Sequence, residues 1–220
     1  MKKLLCSVTL MFAIFSLGQN TRGVISDLSS QTGRSLFLRP VITDPTIQKY
    51  YISTEFKTAF VEGYKDPQKY RYNGFTDNFE FLDKNEVLNL AKTPFMKLKF
   101  AESQSEYQNL SYKDDKGVAR ERFLEIIIDN PSKYSLYESF EVKEVTNDNI
   151  NGYKSVEATK INIEKKYLIG FNGNIQEIPK STKKLSQFLG FNVEEIIKSN
   201  KLNLKKKDQV IQFIDILNQQ

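Results

Sequence analysis

The chemistry open to this chain is limited first by two residue types that are almost missing. The sequence contains no histidine, and its one cysteine, Cys6, lies in an N-terminal segment that we expect to be removed. Ser-His-Asp triads, thiolate nucleophiles and the usual zinc sites need one of these residue types. Disulfides, c-type haem and cysteine-held iron–sulfur centres need cysteine. Any catalysis would therefore use carboxylates, lysine, tyrosine or an oxygen-ligated metal, and we predict no cofactor.

One asparagine-rich segment has the spacing of a calcium-binding loop. Such a loop needs oxygen ligands at alternate positions and a glycine at the sixth. The first, third, fifth and sixth positions are filled by Asn147, Asn149, Asn151 and Gly152. The twelfth position, which needs a bidentate glutamate, is Ala158, with Glu157 one place early. The pattern therefore favours a polar turn between strands over a metal site.

A second motif, Ser181-Thr182-Lys183-Lys184, has the Ser-x-x-Lys spacing that places a lysine one helical turn from a serine nucleophile. The companion motifs Ser-Asp-Asn and Lys-Thr-Gly are absent. Ser181 also stands where a helix cap is expected. We interpret it as a cap and predict no catalytic residue here.

Polar residues surround one predicted hairpin. On a strand, Arg71 and Asn73 point to one face and Tyr72 to the other, so the three cannot line one pocket without a bulge. A cross-strand salt bridge from Arg71 to Glu80 is the favoured interpretation. Arg71 and Asn73 remain candidate contacts for a ligand or partner.

Lysines cluster near the C-terminus, at residues 183–184 and at Lys205, Lys206 and Lys207. A solvated helix face is the favoured interpretation. Anionic lipid or glycan is the alternative, so the three consecutive lysines are candidate partner contacts. The charge balance of 32 basic and 27 acidic residues is too even to indicate nucleic acid, which we do not expect as a partner.

The N-terminus has the features of a secretory signal peptide. Lys2 and Lys3 precede an apolar run over residues 4–17, and Gly18 ends a small-residue site for cleavage before Gln19. The run is about 14 residues, shorter than the roughly 20 of a membrane-spanning helix. No second apolar run of that length follows. We therefore expect residues 1–18 to be cleaved, leaving a periplasmic or extracellular protein with no transmembrane segment.

Hydrophobic periodicity divides the rest of the chain into three parts. Residues 19–44 are polar and predict a flexible leader. Residues 45–180 alternate with period two and predict an antiparallel β domain. Residues 181–220 change to helical spacing and predict short helices that pack on the sheet or on one another. The fold class expected is α+β, a meander sheet or half-barrel of about eight or nine strands followed by short C-terminal helices.

The strand predictions rest on alternation and turn chemistry. In residues 95–101, Met96, Leu98 and Phe100 alternate with lysines. Asn172-Gly173 suits a two-residue turn, because both positions tolerate positive φ. The same pattern predicts further strands over residues 70–75, 79–82, 87–90, 107–112, 118–129, 136–145, 161–169 and 175–178.

Three helices are predicted after Pro179. The first is capped by Ser181 and ended by Gly190 in the left-handed conformation. The second has an approximate capping arrangement of Asn192 and Glu195. The last covers about residues 206–217 and buries Val210, Phe213, Ile214 and Leu217.

Two segments carry a resemblance to a family. They are residues 71–81 (RYNGFTDNFEF) and residues 197–207 (IKSNKLNLKKK). Together they resemble a group of uncharacterised exported proteins of Bacteroidetes-type bacteria, in which an Arg-Tyr-Asn strand pair precedes further strands and a lysine-rich helical tail. Here the hairpin turn is less acidic than in that group. The resemblance implies the architecture and export, but no activity.

Three functions follow as hypotheses. The first is a non-catalytic cell-envelope protein that binds a protein or glycan, with a packed core and exposed aromatic residues. The second is a periplasmic carrier of lipid or another apolar ligand, with a cavity of roughly several hundred cubic ångströms. The third is a hydrolase with two carboxylates about 5 to 10 Å apart. The first is favoured, because no acidic spacing singles out a catalytic pair.

Overall fold

A computed structural model describes residues 45–84, 86–145 and 160–220. The predicted signal peptide over residues 1–18, the predicted leader over residues 19–44 and the calcium-loop segment over residues 147–158 lie outside these ranges. A short 3₁₀ helix, Pro45–Tyr50, begins the described part. None of the helices in the described ranges has the length and apolarity that a membrane span needs.

The described residues form one sheet of ten strands followed by three helices, so the α+β class is confirmed. The strands are β1 (Lys57–Val61), β2 (Gln68–Asn73), β3 (Asn78–Asp83), β4 (Glu86–Asn89), β5 (Lys97–Phe100), β6 (Glu106–Lys113), β7 (Ala119–Ile128), β8 (Tyr134–Val145), β9 (Lys160–Phe171) and β10 (Asn174–Glu177).

Nine of these strands overlap predicted ones, and β1 was not predicted. The number of described strands is therefore ten rather than the expected eight or nine. The pattern of β1 is weak because Ala59 and Val61 face the core while the large Phe60 between them is 47% exposed. A strand that turns its largest apolar side chain outward does not show the usual alternation.

The strand order is β10-β9-β8-β7-β6-β5-β1-β2-β3-β4. Neighbours within this order are antiparallel, and most follow one another along the chain, as in a meander. The exception is β1, which lies between β5 and β2. The chain that leaves β4 at the edge of the sheet therefore passes β3, β2 and β1 before it enters β5. In addition, β10 pairs in parallel with β6 through Gln176 and Lys113. This pairing closes strands β6 to β10 into a ring.

The first core lies inside the curled sheet and is dominated by aromatic rings. The ring of Phe79 lies 4.9 Å from that of Phe123, 5.0 Å from Tyr72 and 5.3 Å from Tyr107, measured between centroids. These residues come from the neighbouring strands β2 and β3 and from the neighbouring strands β6 and β7, and β5 and β1 separate the two pairs in the strand order. The sheet therefore bends until the β2–β3 hairpin packs against β7 and β8.

The second core joins the helices to the other side of the ring. The helices are α1 (Thr182–Leu189), α2 (Glu194–Ser199) and α3 (Lys207–Gln219). Their buried residues pack on Leu136 of β8 and Ile169 of β9. As predicted, the third helix buries Val210, Phe213, Ile214 and Leu217.

Local signals at the ends of these elements behave mostly as predicted. Gly190 ends α1 with φ 82°, and the turn between β9 and β10 has φ 48° at Asn172 and 73° at Gly173. Asn192 accepts a hydrogen bond from the amide of Glu194 at 3.0 Å, but Val193 holds the N-cap position of α2, and no described side-chain hydrogen bond involves the predicted partner Glu195. Ser181 holds the N-cap position of α1, but its hydroxyl makes no capping hydrogen bond. The predicted capping role of that side chain is therefore wrong.

The β2–β3 turn touches β8 at Gly74, where the backbones approach closely. The Gly74 carbonyl accepts from the Val142 amide at 3.2 Å, and its own amide donates to Tyr50 at 2.7 Å. A Cβ atom on Gly74 would lie 2.4 Å from the ring of Phe140 and 2.9 Å from Cγ2 of Val142. Only glycine fits this contact.

We expect Gly74→Ala to lower the free energy of unfolding by about 1–3 kcal/mol, because the added methyl group overpacks the contact. Urea denaturation measures the change. Adding Phe140→Ala removes the obstructing ring, so the double variant should lose less stability than the two single variants lose together. Strict additivity would contradict the steric explanation.

Candidate functional site

A large groove lies between β9 and the helical tail. Its volume is about 1040 Å³, and it is open to solvent on one side. Strand β9 and the segment after β10 form the floor, and the α2–α3 connection forms one wall. Its lining residues are Asp115, Lys116, Ile163, Glu164, Lys165, Lys166, Tyr167, Glu177, Ile178, Pro179, Lys180, Thr182, Ile197, Leu202, Asn203, Leu204 and Lys205.

The groove exists because β10 stops before β9 does. The last contact between them is the hydrogen bond from the Ile178 amide to the Tyr167 carbonyl at 2.8 Å. Pro179 has no amide hydrogen to continue the ladder, and the chain turns away into α1. Within the described ranges, no strand therefore continues the pairing beside the first half of β9, and the α2–α3 connection faces this space.

The lining combines apolar side chains with a surplus of positive charge. Five lysines face three carboxylates in the list above. Lys165 pairs with Glu138 at 2.9 Å, and Lys166 with Glu177 at 3.2 Å. Within the described ranges, no carboxylate comes within ion-pairing distance of Lys116 or Lys205. These two lysines keep their charge available for a negatively charged group entering the groove.

The three consecutive lysines predicted as partner contacts have different surroundings. Lys205 lines the groove. Lys206 stands at the N-cap position of α3. Lys207 begins that helix and pairs with Glu138, its Nζ lying 2.8 Å from Oε2. Only Lys205 of the three faces the groove, while Lys207 fastens α3 to β8.

Glu138 is a buried carboxylate held between two lysines. Its side chain is 4% exposed, and Lys165 and Lys207 reach its two oxygens. Burial alone would raise the pKa of this carboxyl, but the two lysines outweigh burial and hold the pKa below its usual value. Glu138 also helps raise the pKa of Lys207. The pair is therefore charged at neutral pH and ties the helical tail to the ring.

The hairpin residues Arg71 and Asn73 surround another buried carboxylate. Glu80 is 0% exposed, pairs with Arg71 at 2.8 Å and accepts a hydrogen bond from Asn73 Nδ2 at 2.9 Å. The predicted cross-strand salt bridge is confirmed. The ring of Tyr51 covers the guanidinium at 4.0 Å, and Tyr51 donates to Glu80 at 3.1 Å. The ring of Phe56 also lies over the guanidinium, at 4.4 Å, and the Arg71 side chain is 12% exposed.

Burial, with a further contribution from Glu80, raises the pKa of Tyr51 to about 12. The hydroxyl is therefore protonated at neutral pH and remains a hydrogen-bond donor to the carboxylate. Arg71 and Asn73 serve the packing of the hairpin in this arrangement.

A third buried carboxylate, Asp77, lies in the turn between β2 and β3. Its Oδ1 accepts from Tyr72 at 2.6 Å and from the Phe123 amide at 3.2 Å, with Arg122 Nε at 3.6 Å. Lys92 pairs with Oδ2. Arg122 also donates to the carbonyls of Gly74 and Phe140 at 3.1 and 3.2 Å. One carboxylate therefore connects the β2–β3 turn to β7 and, through Arg122, to β8.

The electrostatics of this cluster are consistent with a fixed ion pair. Burial, reinforced by Asp77, raises the pKa of Tyr72 well above its ordinary value. Burial alone would lower the pKa of Arg122, but Asp77 and its other negative neighbours raise it. The tyrosine stays protonated and the arginine stays charged. The contacts of Tyr72 and Arg122 with Asp77 therefore stabilise the fold and do not form an exposed binding site.

Several of the described surface carboxylates form ion pairs with lysines. Lys143 bridges Glu141 and Glu164 at 3.1 and 3.0 Å. Within the described residues, no three acidic side chains come together in a way that could hold a metal ion. At the Ser-x-x-Lys motif, Lys184 Nζ contacts the backbone carbonyl of Asp115 at 3.5 Å. No described contact connects it with the Ser181 hydroxyl.

Comparison of the chain with protein-family models, with curated proteins and with solved structures finds no match. The groove, with its lysines and apolar floor, is therefore the main basis for a function.

We expect Asp77→Asn to lower the free energy of unfolding by about 3–5 kcal/mol. Asparagine tolerates the φ of 50° at this position and has the same shape, but it leaves Arg122 and Lys92 without their buried counter-charge. Urea denaturation measures the loss. Asp115→Asn, in a neighbouring turn, is the control and should change little. Equal stability of Asp77→Asn and the native protein would contradict a structural role for this charge.

The Glu138 carboxylate should make stability depend on pH. Its folded-state pKa lies below the ordinary 4.5, so its contribution is complete above pH 4.5 and is lost as the pH falls through the folded value. Glu138→Gln should be less stable at neutral pH and nearly equal to the native protein in acid. Unfolding curves across this range test it. Glu194→Gln, at an exposed ion pair with Lys198, is the control and should change the pH profile much less than Glu138→Gln, because solvent screens that pair.

Proposed function

We propose that the protein is an exported, non-catalytic component of the cell envelope that binds a partner protein in the groove beside β9. The single observation that carries the proposal is the groove itself, a large open cleft with an apolar floor and lysines free to meet a negative group. The signal-peptide pattern and the resemblance to exported proteins support the location.

The size and shape of the groove favour an extended partner. Typical small-molecule pockets have volumes of about 300–1,000 Å³ and bury most of their ligand. Here the volume is about 1040 Å³ and one side is open, so a small ligand would remain largely exposed to solvent. A chain segment lying along the groove would instead contact both β9 and the α2–α3 connection.

The side chains favour protein over glycan. Tyr167 is the one aromatic residue among the described groove residues, whereas sugar rings commonly stack on exposed aromatic faces. Aliphatic residues such as Ile163, Leu202 and Leu204 suit the apolar side chains of a polypeptide. Lysines beside them suit acidic residues, and such charge complementarity gives specificity and speeds association.

A second candidate is the carrier of an anionic lipid. The observation that favours it is the apolar part of the same groove, where Ile178, Ile197, Leu202 and Leu204 lie close to Lys205. An acyl chain could cover the aliphatic residues while its headgroup contacts lysine. The open side argues against it, because part of the acyl chain would stay in water.

In the test, a photoreactive amino acid replaces Leu204 and the full-length protein is expressed in living cells of the bacterium that makes it. We expect light-dependent cross-linking to one protein, with no such product when the photoreactive residue replaces exposed Phe60 on β1. Lys205→Glu should reduce the product by roughly a factor of ten, because it reverses a charge in the groove. Lys206→Glu, the matched control outside the groove lining, should not.

Mass spectrometry of the same material separates the alternatives. A native N-terminus at Gln19 would support export. A stoichiometric lipid without a cross-linked protein would favour the carrier. Equal cross-linking in the two lysine variants would overturn the proposal that the groove is the binding site.

A further inference from the structure

Among the described residues, strand β9 has no partner strand on one side of its first half, along the groove. It pairs with β8 over its whole length, from Lys160 opposite Val145 to Phe171 opposite Tyr134. On its other side, β10 pairs only with residues 168–171. The bond from Ile178 to Tyr167 extends this pairing by one step. Within the described ranges, no strand pairs with the remaining residues 160–166 on that side.

The pairing pattern shows which backbone groups face the groove. Tyr167 uses its carbonyl to bind the β10 side of the strand. In an antiparallel ladder, alternate residues direct their N–H and C=O groups to the same side. The residues Ile161, Ile163 and Lys165 therefore present both groups to the open edge. An incoming strand would find a ladder of the same spacing that β10 uses.

The side chains along the edge are suited to a polypeptide. Ile163 is 52% exposed and lies at the middle of the open segment. Such exposure of an isoleucine on an unpaired strand is unfavourable unless something covers it. Ile178 and Leu204 line the same groove, so a strand added here would bury apolar side chains as well as satisfy backbone groups.

The charges identify the kind of segment. Lys116, Lys180 and Lys205 surround the open edge, and the groove as a whole has more lysines than carboxylates. Edge lysines discourage pairing between two copies of the same chain, because two positive edges would face each other. An acidic segment meets no such repulsion. Charge complementarity therefore selects a negatively charged partner over a second copy.

We propose that the open edge of β9 accepts an extended acidic segment of the partner protein as an additional strand, occupying the path that β10 leaves at Pro179. This inference rests on the proposed function and specifies the partner's chemistry. Backbone hydrogen bonds to Ile161, Ile163 and Lys165 hold the segment, and lysines contact its acidic side chains. Strand addition of this kind uses the main chain for affinity and side chains for specificity.

The test uses the protein without residues 1–18 and a labelled peptide of alternating glutamate and valine, about seven residues long. Fluorescence polarisation should show one-to-one binding that weakens as salt is added, because exposed charges are screened. A peptide of the same length with lysine in place of glutamate should not bind. N-methylation of alternate peptide residues should abolish binding in one register and spare it in the other.

A matched pair of variants tests the edge of the protein itself. Ile163→Pro removes an amide that faces the groove and leaves the β8 pairing intact, as edge strands tolerate. It should weaken peptide binding by at least about tenfold. Ile163→Val keeps the amide and should bind within about twofold. Circular dichroism establishes that both variants fold, and the N-methylated peptides decide the question if the proline variant does not.

The outcomes distinguish this inference from the proposed function. Tight binding of the acidic peptide that neither N-methylation nor Ile163→Pro affects would overturn strand addition and leave a groove recognised through side chains. A dimer that Ile163→Pro dissociates would show that a second copy occupies the edge, which also overturns it. If the acidic peptide does not bind while the Leu204 cross-link persists, the partner chemistry is wrong and the groove remains. If the photoreactive residue cross-links equally well at Leu204 and at Phe60, the groove is not the binding site and the proposed function is wrong.

Discussion

The arrangement of the whole sheet depends on one buried carboxylate. Asp77 lies at the tip of the β2–β3 hairpin, where Arg122, Lys92, Tyr72 and the Phe123 amide surround it. A charge taken out of water is costly unless it is paired and hydrogen-bonded, so these partners must converge on the turn in the folded protein. They come from segments that the strand order separates. This contact adds to the aromatic core and to the Gly74–Val142 hydrogen bond, which also hold the β2–β3 hairpin against β7 and β8.

A second buried carboxylate, Glu138, attaches the last helix to the strands, as Asp77 attaches the β2–β3 hairpin to β7. Glu138 draws in Lys165 from β9 and Lys207 from α3, so the start of the last helix is fixed against the ring of strands. The helix then buries its apolar face on Leu136 and Ile169. This placement has a functional consequence. The connection that precedes α3 is held in front of β9, with Leu204 and Lys205 facing the groove.

The local features of this fold are readable in the sequence, and the long-range ones are not. Strands with one buried face alternate regularly, Asn172-Gly173 can form only a few turns, and α3 spaces its four buried residues at helical intervals. Strand β1 escapes detection because Phe60 points outward. The crossover that places β1 beside β5 leaves no mark in hydrophobic periodicity. The burial of Asp77 leaves no mark in the sequence either, because an aspartate in a turn has the same sequence pattern whether its side chain is solvated or paired with an arginine. The Arg71–Glu80 pair was predictable because the two residues face each other across one hairpin, while Lys207 and Glu138 lie too far apart in sequence to suggest each other.

The open edge of β9 follows from the same constraints. Proteins usually cover such an edge or blunt it, and this chain does so elsewhere: β10 closes the ring by pairing with β6 as well as with β9. A β10 longer by a few residues would also have paired with the first half of β9. Instead the chain turns away at Pro179, and Lys116, Lys180 and Lys205 line the space that is left. A positive edge resists both aggregation and self-pairing, yet it still offers unsatisfied backbone groups. An acidic strand would pair with the backbone groups and the lysines at once in place of water, whereas a second copy of the chain would bring two positive edges together.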